Sequence, residues 1–118
     1  AAARIAAAEA LLPPADEATA RDLHLMIADA VLYYGLAQES ALAHLLAGAK
    51  LSERVALPDA MRADLYIQIG DLSARHGQLP QARAYLAKME QQFPRDWRNW
   101  ALREVIKAEA AGRKPAIP

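Results

Sequence analysis

Apolar residues recur along most of this chain at spacings of three and four, the period of one face of an α-helix. Leu65, Ile69 and Leu72 lie on one side of one periodic segment, and Ala82, Tyr85, Leu86 and Met89 on one side of the next. No stretch alternates apolar and polar positions with the period of two that a half-buried strand requires. Breakers separate the segments. Pro13-Pro14 ends a short Ala-rich opening, and Asp16 or Thr19 is placed to cap a helix that runs to about Tyr34, with Gly35 as its stop. A second helix is predicted over 38–51. A third begins at Pro58, whose missing N–H costs nothing in a first turn, and reaches about Arg75, with Gly77 just beyond. Pro80 opens a fourth that Pro94 terminates, Asp96 caps a fifth from Trp97 to about Ala111, and 115–118 form a frayed tail. Connections this short force neighbouring helices antiparallel. The pattern predicts an all-α fold of antiparallel helix pairs.

Composition strengthens that reading. Apolar residues make up 54% of the chain but aromatics only 6%, so alanine and leucine, the strongest helix formers, supply the bulk. The 118 residues suit one domain with a real core. Fourteen basic and 14 acidic residues balance to zero, and the nearest thing to a basic cluster is Arg113-Lys114 in the tail. Phosphate contacts dominate nucleic-acid affinity, so this balance argues against a nucleic-acid partner. No apolar run approaches the ~20 residues of a membrane span, and no signal-peptide pattern is present. The chain opens in mid-pattern at Ala1-Ala2-Ala3 without a starting Met. It reads as a soluble piece of a longer protein, cytoplasmic or periplasmic, whose membrane anchor, if there is one, lies outside it.

Candidate chemistry is sparse. There is no cysteine, which removes thiol nucleophiles and zinc–thiolate sites. His24, His44 and His76 include no pair three or four apart on one helix, so a metal site has little support. His44 is expected to pack between helices and His76 to sit in an exposed turn. Ser40, Ser52 and Ser73 lack a nucleophile-elbow context, and Glu90 and Glu104 lie among other charges with no apolar pocket to shift them. No catalytic residue, metal or cofactor is expected.

A helix pair with so narrow an apolar stripe cannot bury itself alone, and stacking of similar pairs is the natural solution. From Ala63 to Pro94, Tyr66, the Ile69-Gly70 pair, Gly77, Ala82, Leu86 and Pro94 fall in the order and spacing of a known motif. On these residues the segment resembles the tetratricopeptide repeat. Gly70 and Ala82 are expected to let the two helices of the unit approach closely at their crossing, and Gly77 to take the turn conformation. Ser73 stands where the family has Tyr, and Met89 where it has Ala.

The flanks echo the motif. Gly35, Ser40, His44 and Ala47 mirror Gly77, Ala82, Leu86 and Met89 offset for offset, with Ile27, Ala28 and Val31 on the packing face of the preceding helix. The two turn glycines lie 42 residues apart rather than about 34, which puts the extra length around Glu53 to Ala60. Ala1, Ile5, Ala8 and Pro13 repeat the second-helix spacing once more. Arg103, Glu104 and Lys107 give the last helix one polar side, as a cap on the stack would have. The resemblance thus divides a domain over 1–112 into a partial unit at 1–14, units at 21–52 and 59–94, a capping helix at 96–111 and a tail at 113–118. It implies a short right-handed α-solenoid of about two repeats plus flanking helices, a non-repeat helical bundle being the competing arrangement.

In that family the first helices of successive pairs line a concave groove that holds a protein or peptide. Carried over, the groove positions are Asp22, Leu25, Asp29, Leu32 and Tyr33, then Asp64, Ile67, Gln68, Asp71 and Arg75, with Arg98 and Ala101 from the last helix. Four aspartates among these suggest an acidic floor suited to a basic or amphipathic segment. The family's clamp for a C-terminal carboxylate uses Lys, Arg and Asn; Asp29, Ile67 and Asp71 stand there instead, so that ligand would meet like charge. Trp97 and Trp100 are expected to seal the last helix pair, docking anchors being the other reading. The resemblance implies a non-catalytic scaffold module of a larger protein, assembling a multiprotein complex. The Ala/Leu/Arg bias points to a bacterial source, where envelope and exopolysaccharide-secretion machinery are frequent homes for such modules. A structural spacer or homo-oligomerisation element is the alternative.

Overall fold

The computed structural model describes residues 2–112. Among them it shows six helices and no strand: α1 (Ala2–Glu9), α2 (Glu17–Tyr33), α3 (Gln38–Ser52), α4 (Asp59–Arg75), α5 (Leu79–Gln92) and α6 (Arg98–Ala110). The chain divides into two compact units, Ala1–Pro58 and Asp59–Pro118. Ala1, the Arg113-Lys114 pair and the tail expected at 115–118 lie outside the described residues.

In the first unit α2 packs along α3, and α1 lies on α2. Asp16 caps α2, its Oδ1 accepting the Thr19 N–H at 2.8 Å, which satisfies one of the free donors of the first turn. Gly35 ends the helix at φ +67°, with the Leu36 N–H on the Val31 carbonyl at 2.9 Å. Ile27, Ala28 and Val31 are buried, the face expected of them. Along α3 the buried positions are Ala41, Leu42, Leu45, Gly48, Ala49 and Ser52, one residue on from the mirrored set. Ser40, His44 and Ala47 are only half-buried. His44 lies at the edge of this stripe, where its ring reaches Glu9 and His24.

In the second unit α4 and α5 form an antiparallel pair, and α6 packs against both. Gly77 closes α4 as Gly35 closes α2: φ is +76°, and the Gln78 N–H reaches the Ser73 carbonyl at 2.8 Å. Two clusters hold this unit. Tyr66, Ala63 and Met89 form one, with Tyr85 edge-on to Tyr66 at 5.6 Å. Ala74, Ala82, Leu86, Leu102 and Ile106 form the other. Ser73 is fully buried and accepts a hydrogen bond from Gln81 Nε2 at 2.8 Å, which accounts for a small polar residue at a position where the motif has Tyr.

One close approach goes beyond expectation. A Cβ placed on Gly70 would stand 2.6 Å from Leu102 Cδ2 and 3.5 Å from its Cγ. The missing side chain therefore admits Leu102 of α6, whereas Ala82 on α5 packs in the cluster with Ala74 and Leu86. The glycine makes room for a side chain of the third helix of the unit, a contact the motif does not name.

Candidate functional site

The seating of Leu102 in the Gly70 notch fixes α6 against α4 and leaves a depression beside it. Ile67, Ala101, Leu102 and Val105 supply its apolar floor, Trp97 stands at one end, and Gln68, Asp71, Arg75 and Arg98 form the polar rim. Its volume is about 360 Å³. Of the residues carried over from the family groove, Ile67, Gln68, Asp71, Arg75, Arg98 and Ala101 are thus brought together. Asp64 joins them through Arg98.

The rim charges are ion-paired: Arg75 with Asp71, and Arg98 with two carboxylates, Asp96 and Asp64. Arg98 holds Asp96 with its Nε at 3.0 Å and Nη2 at 2.8 Å, and reaches Asp64 Oδ1 with Nη1 at 2.6 Å. The Arg98 backbone N–H also donates to Asp96 Oδ1 at 2.9 Å, but Asp96 is not the cap expected of it: α6 begins at Arg98, Trp97 holds the cap position and Asp96 stands one residue before it. The Arg98 hydrogen bonds hold the Asp96 carboxyl below its ordinary range, and Asp96 and then Asp64 push the guanidinium the other way. Arg75 Nε donates to both oxygens of Asp71, four residues back, each at 3.0 Å, which also raises the arginine. Asp22 is likewise paired, with Arg21 Nε at 2.9 Å. Three of the four named aspartates, Asp22, Asp64 and Asp71, are thus ion-paired with arginines, Asp64 sharing Arg98 with Asp96.

The remaining expected groove residues lie on α2. Leu25 is half-buried because it fills the notch at Gly48, where an added Cβ would stand 2.7 Å from its Cδ2. Leu32 is half-buried. Asp29 is exposed overall, yet desolvation of its carboxyl holds its pKa above the ordinary value. Tyr33 is 83% exposed and meets Tyr34 edge-on at 5.0 Å.

The tryptophans do not form the expected seal. Trp97 is 72% and Trp100 63% exposed. The inward face of α6 is set by Asn99, Leu102 and Ile106, and positions 97 and 100 fall off that stripe. Asn99 Nδ2 donates to the Phe93 carbonyl at 2.9 Å, tying the start of α6 to the end of α5. Sequence reasoning missed this Asn, since a buried amide has no signature in a periodic pattern. It also missed a meeting of His24 with His44, which are 20 residues apart on different helices. His76 is in the turn after α4 and is half-buried rather than exposed.

Compared with known proteins, the chain matches no family model, no curated protein and no solved structure. The tetratricopeptide resemblance accordingly rests on the residues themselves.

Proposed function

We propose that this chain is a non-catalytic protein-interaction module of the tetratricopeptide type, part of a larger bacterial protein, and that a partner segment docks in the depression between α4 and α6. One observation carries the reading: an apolar floor of Ile67, Ala101, Leu102 and Val105 is framed by arginines and aspartates already committed to one another. At about 360 Å³ the depression lies at the small end of the ~300–1,000 Å³ range of ligand sites. That suits the anchoring side chains of a peptide, with the exposed Trp97 as a wall. A rim whose charges are ion-paired, with Asp64 and Asp96 sharing Arg98, selects chiefly by shape and apolar fit, so the partner we favour is an amphipathic segment rather than a merely basic one. The matching glycine closures at Gly35 and Gly77 support two helix–turn–helix units of one design, and stacking of such units into a solenoid is part of the proposal. No catalytic role is assigned to the depression, in which Asp71 is bonded to Arg75 and Arg98 to Asp64 and Asp96.

The test is selection of helical peptides from a random library on the whole chain, followed by titration against Ala101→Glu. Glutamate is a good helix former and would place a charge on the floor without loosening the core. Selected peptides should bind the variant at least tenfold more weakly; equal binding would remove this surface as the docking site. The spacer or self-association reading is favoured by the exposed Trp97, Trp100 and Met61 of the second unit. Sedimentation across a concentration series decides it, and a strict monomer removes it.

A further inference from the structure

Three side chains from three helices form a continuous polar chain within the first unit. Glu9 Oε2, at the end of α1, is 2.9 Å from His44 Nε2 on α3, and His44 Nδ1 is 2.8 Å from Nδ1 of His24 on α2. The rings are 5.1 Å apart and tilted by 39°. The His44 side chain is 13% exposed, with Glu9 on its solvent side at 44%.

Two facing ring nitrogens need one hydrogen between them. Without an added proton, His44 donates from Nε2 to the Glu9 carboxylate and accepts at Nδ1 from the Nδ1–H of His24. With one added proton, taken up at His24 Nε2 as the shared hydrogen moves across to His44 Nδ1, His44 donates from both nitrogens and His24 accepts at Nδ1. Both states fit the same geometry. A second proton leaves two N–H groups head-on and two like charges in contact, so the rings must part.

Apart from these bonds, α1 is held on α2 through the half-buried Ile5 and Ala8. None of its residues is buried, and a cleft of about 240 Å³ lined by Ile5, Ala8, Leu23, Met26 and Ile27 lies between it and α2. We propose that Glu9, His44 and His24 form a proton-operated clasp, which ties α1 to α3 while the histidines share at most one added proton and lets α1 go when they take a second.

The neighbouring charges at the start of α2 are held elsewhere. Arg4 is the other ionisable residue of α1. On α2, Glu17 is bonded to Arg54, Arg21 to Asp22 and to the Val55 and Ala56 carbonyls, and Asp29 lies beyond. On α3, Glu39 and Lys50 are exposed. Burial, and then the His44 charge, hold His24 below the ordinary histidine value. The unfolded chain thus binds that proton first. The stabilisation is complete above the ordinary value of about 6.5 and is lost as pH falls through the lower one. Glu9 and His24 meet opposite nitrogens of one ring, so the three donors do not converge, and among the described residues no group of three such side chains could hold a metal ion.

The chain has no cysteine, so Ala3→Cys on α1 and Ala43→Cys on α3, both exposed, can carry a spin-label pair. The inter-label distance distribution should be narrow at pH 7.5 and at least twice as broad at pH 5.0, with far-UV circular dichroism showing the helices retained. His24→Leu removes the second proton and leaves the Glu9–His44 pair, so its distribution should stay narrow at both pH values. A wild-type distribution unchanged at pH 5.0, or a variant that broadens as the wild type does, overturns the clasp. If His24→Leu does not fold, ¹⁵N titration of the wild-type rings decides: two steps at least one pH unit apart support the clasp, and one shared step sinks it. Added Zn²⁺ that raises the melting temperature of the wild type but not of His44→Ala would make this a metal site and overturn the proton reading.

Discussion

Substituting alanine for Gly70 tests whether the second unit is locked by the fit of Leu102 into a missing side chain. The new Cβ would lie 2.6 and 3.2 Å from the two Leu102 methyls. Leu102 is 3% exposed and hemmed in by Ala74, Leu86 and Ile106, so its methyls have little room to move. Overpacking of this kind costs about 1–3 kcal/mol, against a helix-propensity gain of about 1 kcal/mol for Gly→Ala. Gly70→Ala alone should therefore be destabilising by about 0–2 kcal/mol. Leu102→Ala leaves a cavity and should cost about 2–5 kcal/mol. In that background the clash is gone and only the propensity gain remains, so Gly70→Ala becomes stabilising. The double-mutant cycle should show a coupling of about 1–3 kcal/mol, equal to the relieved overpacking. Urea denaturation followed by tryptophan fluorescence reads it directly, because Trp97 and Trp100 both belong to the unit concerned and are the chain's two tryptophans. Additivity within about 0.5 kcal/mol would refute the lock-and-notch account.

Gly77→Ala and Gly35→Ala should each destabilise by about 1 kcal/mol, a pure backbone cost, since a Cβ at either position meets nothing within 4 Å; urea midpoints check this, and an effect below the scatter would show that the closures are dispensable. Asp96→Asn should lower the melting temperature near neutrality, and the deficit should shrink as pH falls from 6 to 2.5. The lowered Asp96 pKa makes its stabilisation present above the unfolded carboxylate range and lost below it, so a deficit independent of pH would count against the Arg98 pairing. Arg21→Lys should loosen the 55–56 turn, because a lysine has a single donor nitrogen and cannot hold Asp22, as Arg21 Nε does, while also reaching the carbonyls of Val55 and Ala56, which Arg21 Nη1 meets at 2.6 and 3.2 Å; faster amide exchange confined to that turn is the expected result.

The helices were legible because their ends are written in special residues. Asp16 caps, Gly35 and Gly77 close, and Pro80 lies in the first turn of α5, so boundaries fall within a few residues of expectation. Pro94 stands two residues beyond the end of α5, because the residue before a proline resists the helical conformation. Periodicity also named the inward faces of α2, α4 and α5. It could not say which helix covers a given face. The motif names Gly70 with Ala82 and is silent on α6, whose Leu102 fills the notch. The same gap explains the charges. Asp71 and Arg75 stand four apart on one helix, a pairing visible in the sequence, whereas Asp64 meets Arg98 across 34 residues. The buried stripe of α3, Ala41, Leu42, Leu45, Gly48, Ala49 and Ser52, is itself regular, and the offsets carried over from the motif miss it by one position because they place His44 in the stripe instead of beside it.

The internal pairing of the rim has a consequence for how binding should respond to ionic strength. A receptor that offers unpaired charge gathers counterions, and these are released when a partner arrives, so its affinity falls steeply as salt is added. Here Arg75 and Arg98 are already screened by their own carboxylates, and few ions remain to be displaced. A partner entering the depression should associate at an ordinary, unsteered rate and hold on nearly as well in concentrated salt as in dilute buffer.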